Sequence, residues 1–216
     1  MMRRNNFPFS AVLGLNHAKT AILVVLVNPR AGGLLISGPQ GIGKSTLMRS
    51  TQELIERPWR DIPVSVTEDR LFGTIDTEKA IYSGQKKLYP GIINEADQGV
   101  LYLDDANLLR EDLLDSILNI AEVGAYQLER DGLSLRCDTS FTVIAAINPE
   151  SGMLSGACLD QFGLFVNVDN IHDENTRVEI LKRTISFEKN CASFCKLWKL
   201  ENEKIKKAIH SAMSLL

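Results

Sequence analysis

The stretch Gly38-Pro39-Gln40-Gly41-Ile42-Gly43-Lys44-Ser45-Thr46 limits what this chain can fold into more than any other. It fits G-x-x-x-x-G-K-[ST], the phosphate-binding loop pattern, at every fixed position. Such a loop works only between a buried strand that delivers it and a helix whose free N–H groups face the anion. Both neighbours are present: the apolar run Gly33–Ser37 enters the loop, and the helix-compatible run Leu47–Ile55 leaves it. The glycines let the backbone turn its N–H groups inward as an anion nest. In that arrangement Lys44 reaches the β- and γ-phosphates and the Ser45 hydroxyl ligates Mg²⁺, so the expected cofactors are ATP and Mg²⁺.

Around the loop the hydrophobic pattern alternates between strand and helix. Ala18, Ala21, Ile22 and Val25 recur at helical spacing in a predicted helix Asn16–Val27, which Asn28-Pro29 stops. Beyond the loop, Pro58 and Pro63 punctuate a connection, Ile62–Val66 reads as a short strand, and the polar segment Thr67–Gly99 follows. That segment is long for a plain connection, carries a predicted helix near Thr77–Tyr82, and reads as a functional insertion. Val100–Leu103 is wholly apolar, as a central strand of a parallel sheet must be, and ends in Asp104-Asp105. A helix Leu108–Val123 follows, with Leu109, Leu113, Leu114, Ile117, Leu118 and Ala121 turned inward and Gly124 as its stop. Tyr126–Arg130 and Leu133–Arg136 flank Asp131-Gly132, a hairpin signal. Phe141–Ile147 is a second buried strand ending at Asn148-Pro149, and Leu164–Val168 is the last. Helical runs cover Asp173–Phe187 and Glu201 to the end.

The expected class is α/β: a mostly parallel sheet with helices on both faces, joined by right-handed crossovers, with one β-hairpin insertion. Ligands in such sheets bind beyond the carboxyl ends of the strands. Lys44, Asp104 and Asn148 each follow such an end, so one nucleotide meets all three. Asp104 is placed to stand behind the Mg²⁺, and Asp105 to polarise the attacking water. Asn148 is placed to orient that water or the γ-phosphate.

Composition closes other routes. A net charge of −3 leaves no basic footprint for nucleic acid. Cys137, Cys158, Cys191 and Cys195 lack metal-type clustering and read as free thiols of a reducing compartment. The apolar stretch up to Val27 is interrupted by Asn16, His17 and Lys19, and Ala21–Val27 is too short to span a bilayer. The expected location is the cytoplasm, or a plastid in a phototrophic eukaryote.

The sequence resembles the AAA+ ATPases, and within them the magnesium-chelatase I subunits. The resemblance is carried by Phe7-Pro-Phe9 with Gly14, the loop Gly38–Thr46, Thr67-Glu-Asp-Arg70, Gly73-Thr-Ile-Asp76, Glu78-Lys-Ala80 and Pro90-Gly91. It continues through Leu101-Tyr-Leu-Asp104, Asn107-Leu-Leu109, Glu129-Arg-Asp-Gly132, Asn148-Pro-Glu150, Leu159-Asp160 and Phe162-Gly163. It implies an AAA+ core over 1–190, with 191–216 as the start of a truncated helical lid. It implies a ring of copies, hexameric in the family, with ATP at the subunit interfaces. It also implies D-type and H-type partner subunits and ATP-driven insertion of a metal into a tetrapyrrole such as protoporphyrin.

Three departures accompany the resemblance. The family's Asp-Glu is Asp104-Asp105 here, which draws the second carboxylate back by roughly one ångström, and misplacement on that scale can cost about a hundredfold in rate. The family's Leu-Asp-Arg-Phe-Gly reads Leu159-Asp160-Gln161-Phe162-Gly163. An arginine finger at that position is worth about 10³ to 10⁵ in turnover, and a neutral Gln161 does not replace its charge. The lid's own sensing arginine is missing, while Arg177 is retained. Two readings follow: an active chelatase-type motor, or an ATP-binding subunit with weakened hydrolysis, down to a truncated copy without function.

Overall fold

A computed structural model describes residues 6–75, 88–130 and 133–215. The strands are β1 (Leu34–Ser37), β2 (Trp59–Ile62), β3 (Gly73–Ile75), β4 (Leu88–Pro90), β5 (Gly99–Leu103), β6 (Ala125–Arg130), β7 (Leu133–Asp138), β8 (Phe141–Ile147) and β9 (Leu164–Asn167). The helices are α1 (Asn16–Val27), α2 (Lys44–Thr51), α3 (Glu68–Phe72), α4 (Ile92–Glu95), α5 (Glu111–Val123), α6 (Gly156–Asp160), α7 (Glu174–Lys189) and α8 (Cys191–Met213). Five strands form one parallel sheet in the order β2-β5-β8-β1-β9. β3–β4 and β6–β7 are separate antiparallel pairs.

The three inner strands are buried along their whole length because both faces of the sheet are covered. Side chains alternate across the sheet with period two. Leu35, Leu101, Leu103, Val143, Ala145 and Ile147 therefore meet Leu113, Leu114 and Ile117 of α5 on one face. Leu34, Ile36, Val100, Tyr102, Ile144 and Ala146 meet Ala18, Ile22 and Val25 of α1 and Leu47 and Met48 of α2 on the other. The predicted helix Asn16–Val27 and strand Phe141–Ile147 have the bounds expected of them.

Other elements are displaced from their predicted places. The strand expected at Ile62–Val66 lies at Trp59–Ile62, paired with Val100–Leu103. Pro63 has no N–H to give to a ladder, and Val66 is buried in the loop beyond it, so its apolar character reports burial rather than strand. The helix expected from Leu108 starts at Glu111, because Ala106–Leu108 is a 3₁₀ turn and Leu109 leaves it extended. The helix after the loop runs Lys44–Thr51 rather than Leu47–Ile55. α8 begins at Cys191, well before Glu201, where the Asn190 side chain accepts from Ser193 N and caps it. Phe194 carries the early part of that helix into an aromatic group with Phe7, Phe187 and Trp198. The helix predicted near Thr77–Tyr82 and the turn Asp131-Gly132 lie outside the described residues. Among the described residues, no helix is long and apolar enough to cross a membrane.

Candidate functional site

Parallel register brings the predicted residues to one edge. Ser37 of β1 lies beside Ile147 of β8, and Leu103 of β5 lies beside Ala145. The residues that follow, Gly38, Asp104 and Asn148, therefore leave the sheet together, and Gly38 N donates to Ile147 O at 3.2 Å. Gly43 takes φ +93°, in the left-handed region that glycine favours, and from there the chain turns directly into α2. It offers no side-chain cap, so the first N–H groups of α2 stay available to a ligand from the loop side.

Lys44 is only 7% exposed. Its Nζ donates to Gly38 O at 2.6 Å and Pro39 O at 2.8 Å. Burial draws this ammonium below the ordinary lysine range, against the pull of Asp105 and then Asp104. Ser45, one residue further along α2, donates from Oγ to Asp104 Oδ1 at 3.1 Å. Tyr102 donates to the same Oδ1 at 2.9 Å. Burial is the first cause that pushes the Tyr102 hydroxyl far above the usual tyrosine range, and the Asp104 charge is the second. Asp105 is exposed and holds φ +52°, a left-handed conformation that costs a non-glycine residue on the order of 1 kcal/mol or more. Asn148 is buried. Its Oδ1 accepts from Glu150 N at 3.2 Å and its Nδ2 donates to Ser151 Oγ at 3.4 Å, which closes the 3₁₀ turn Pro149–Ser151.

The donor set fits a magnesium nucleotide. A buried ammonium that donates to the neutral carbonyls of Gly38 and Pro39, and an uncapped helix N-terminus, favour an anion. A serine hydroxyl 3.1 Å from a carboxylate supplies the hard oxygens that Mg²⁺ takes. Beside the loop, a cleft of about 890 Å³ runs between Gln40–Gly43, the segment from Ala11 to Leu15, and Arg177, Ile180 and Thr184 of α7. That size and mixed lining suit a nucleotide.

Some functional positions escaped the motif reading. Tyr102 looked like one more apolar residue of a buried strand. Asn107 donates from Nδ2 to Asn148 O at 3.1 Å and Gly152 O at 2.9 Å, tying the loop after β5 to the turn after β8. Its Oδ1 is buried and has no hydrogen-bond partner among the described residues. No local signal brings Ala11–Leu15 against α7; Lys19 Nζ donates to Val12 O, and Arg183 Nη1 donates to Ala11 O at 2.9 Å.

Gln161 is elsewhere. It follows α6 and lines a second cavity of about 710 Å³ with Arg30, Gly33, Phe141 and Asp160, at the amino ends of β1 and β8. It is thus at the opposite end of β1 from Lys44. Cys191 and Cys195 share one helix face, as their spacing predicts, with sulfurs 4.0 Å apart. Among the described residues no group of three or more His, Cys, Asp or Glu could hold a metal ion.

A phosphate-binding loop after β1, an acidic residue after β5 and an amide after β8, on a 2-5-8-1-9 parallel sheet, define a P-loop nucleotide-binding domain of the AAA+ type. The profile of the AAA domain (dynein-related subfamily) matches residues 33–161. The chain belongs to the AAA+ ATPases, in the family of the magnesium-chelatase I subunits. It is 33% identical to the magnesium-chelatase subunit ChlI homolog of Methanocaldococcus jannaschii, over 100% of this chain and 69% of that protein. It is 34% identical to the magnesium-chelatase 38 kDa subunit of Cereibacter sphaeroides, over 97% of this chain and 73% of that protein. Among solved structures, a chain of the complex between subunits BchI and BchD of magnesium chelatase superposes with a TM-score of 0.72 at 34% identity. That match covers 99% of this chain and 77% of the other. The alignment with the M. jannaschii protein runs over 253 positions, more than the 216 residues here, so that relative carries internal segments this chain lacks.

Proposed function

We propose that this chain is the ATP-binding motor subunit of a magnesium-chelatase-like complex that drives metal insertion into a tetrapyrrole such as protoporphyrin. The observation that carries this reading is the meeting of Ser45 with Asp104 beside the buried Lys44. The loop from Gly38 to Thr46 cradles the phosphates, with Lys44 as its fixed positive charge. Ser45 and Asp104 hold Mg²⁺. Bound Mg-ATP supplies the phosphoryl bond whose hydrolysis powers the motor. Asp105, at the rim of the loop, accepts a hydrogen bond from water and polarises it, and Asn148 senses the γ-phosphate. Copies of the chain form a ring, and the solved BchI–BchD complex supports a D-type partner. An H-type partner and a location in the cytoplasm or a plastid belong to the same reading. Residues 1–190 act as the core and 191–216 open the lid.

The neutral Gln161 favours a second reading, an ATP-binding subunit that organises the complex with weakened turnover of its own. Steady-state ATPase of the purified protein, alone and with a D-type subunit, separates the two. The motor reading expects hydrolysis at least about tenfold above a Lys44→Ala control, since removing one such charged donor costs about 10² or more in rate. Tight ATP binding with turnover no higher than that control would instead establish the organising role.

A further inference from the structure

We infer that Tyr102 is a positioning residue for the Mg²⁺-binding carboxylate: its hydroxyl holds Asp104 in the orientation in which Asp104 meets Ser45. The inference rests on the magnesium-nucleotide reading of this site. Residues 102 and 104 project from the same face of the chain as it leaves β5, because strand side chains alternate. The Tyr102 hydroxyl thereby reaches Asp104 Oδ1 at 2.9 Å. The Ser45 hydroxyl arrives at the same oxygen from α2, at 3.1 Å. Two hydroxyls on one oxygen restrain rotation of the carboxylate and leave Oδ2 uncommitted to either. A hydroxyl has one proton and two lone pairs, so Ser45 can offer oxygen to a cation and still donate to Asp104.

Tyr102 suits this task because it cannot move away. It is 1% exposed, its ring lies 5.9 Å from that of Trp59, and it belongs to the same packed face as Val100, Ile144 and Ala146. A phenol hydroxyl sealed in such a core requires an acceptor, and Asp104 is that acceptor. Packing thus sets where the hydroxyl points, and the hydroxyl sets where the carboxylate points. A purely space-filling tyrosine would be replaced by phenylalanine without consequence at the site.

The test is Tyr102→Phe, which keeps the ring. Titration of a fluorescent ATP analogue, repeated across Mg²⁺ concentrations, reads the site without turnover. Affinity without Mg²⁺ should stay as in the parent, while the Mg²⁺ needed for half of the metal-dependent tightening rises about tenfold, the usual scale for losing a group that orients a metal ligand. Val100→Ala, on the same packed face, should lower Tm yet leave the Mg²⁺ requirement alone. An equal Mg²⁺ shift in Val100→Ala would mark the effect as loosened packing and overturn the inference. A parental Mg²⁺ requirement in Tyr102→Phe, with a raised one in Asp104→Asn, would overturn the inference and leave the site reading standing. If Asp104→Asn itself binds with the parental Mg²⁺ requirement, the site reading falls and takes the inference with it.

Discussion

The two ends of the parallel sheet are made from the same strands and carry different chemistry. At the carboxyl ends, a desolvated ammonium, two hydroxyls on one carboxylate and an uncapped helix N-terminus converge within a few residues of Ser37, Leu103 and Ile147. At the amino ends, backbone packs on backbone. Gly163 N donates to Gly32 O at 2.8 Å, and a Cβ on Gly163 would sit 1.8 Å from Ala31 O. Arg30, Asp160 and Gln161 line the cavity there without forming a phosphate cradle. The difference follows from strand direction. In a parallel sheet every strand delivers its loop, and the N-terminus of the next helix, to the same edge, so anion-binding groups gather at one end only. The other end is left to close packing of backbone on backbone.

The largest expected effect tests that division. Gln161→Arg should raise ATP turnover of the assembled protein by about 10³ or more, the scale of an arginine finger. A kcat equal to the parent's would detach the amino end from hydrolysis altogether. Lys44→Ala acts at the opposite end and should lower turnover by about 10² to 10³, read as kcat/KM for ATP. Gly163→Ala should break the amino end alone. Its methyl forces the backbone off Ala31, costing about 1–3 kcal/mol in urea unfolding, while nucleotide affinity of the folded protein holds. Loss of binding in that variant would show that the two ends are not separable.

The smallest effect lies in the scaffold behind both. Glu53 lies at the surface, but the packing around its carboxyl raises the pKa above the ordinary glutamate value, partly offset by a hydrogen bond from Asn202 of α8. The folded chain therefore holds this proton more tightly than the unfolded chain, and ionising Glu53 costs stability once pH exceeds the ordinary glutamate range. Glu53→Gln should raise Tm slightly at neutral pH, and the gain should vanish as pH falls below about 4. A gain that persists in acid would assign the effect to packing rather than charge.

Much of this was legible in the residues. The phosphate loop announced itself because backbone geometry, charge and metal ligation each demand a particular residue type at a set spacing, and Val100–Leu103 and Phe141–Ile147 were visible because a doubly covered strand must be apolar throughout. Boundaries were less legible. Trp59–Ile62 is an edge strand with Arg60 and Asp61 exposed, and only its ladder to β5 makes it a strand. The start of α8 was hidden because Cys191, Ser193 and Lys196 blur its period, and docking of Phe194 against Phe7 and Phe187 supplies what the pattern lacks.

By itself the sequence determined the loop, the buried strands Val100–Leu103 and Phe141–Ile147, and the residue types that stand at their ends, since these depend on local geometry and on the solubility of side chains. Only the tertiary structure decided which strands lie side by side, that Ala11–Leu15 and α7 wall one cleft with the loop, that Gln161 sits at the end of β1 remote from Lys44, and that Tyr102 reaches Asp104. The reason is physical. Pairing and packing join residues far apart along the chain, and the energy of those contacts belongs to the pair rather than to either residue alone.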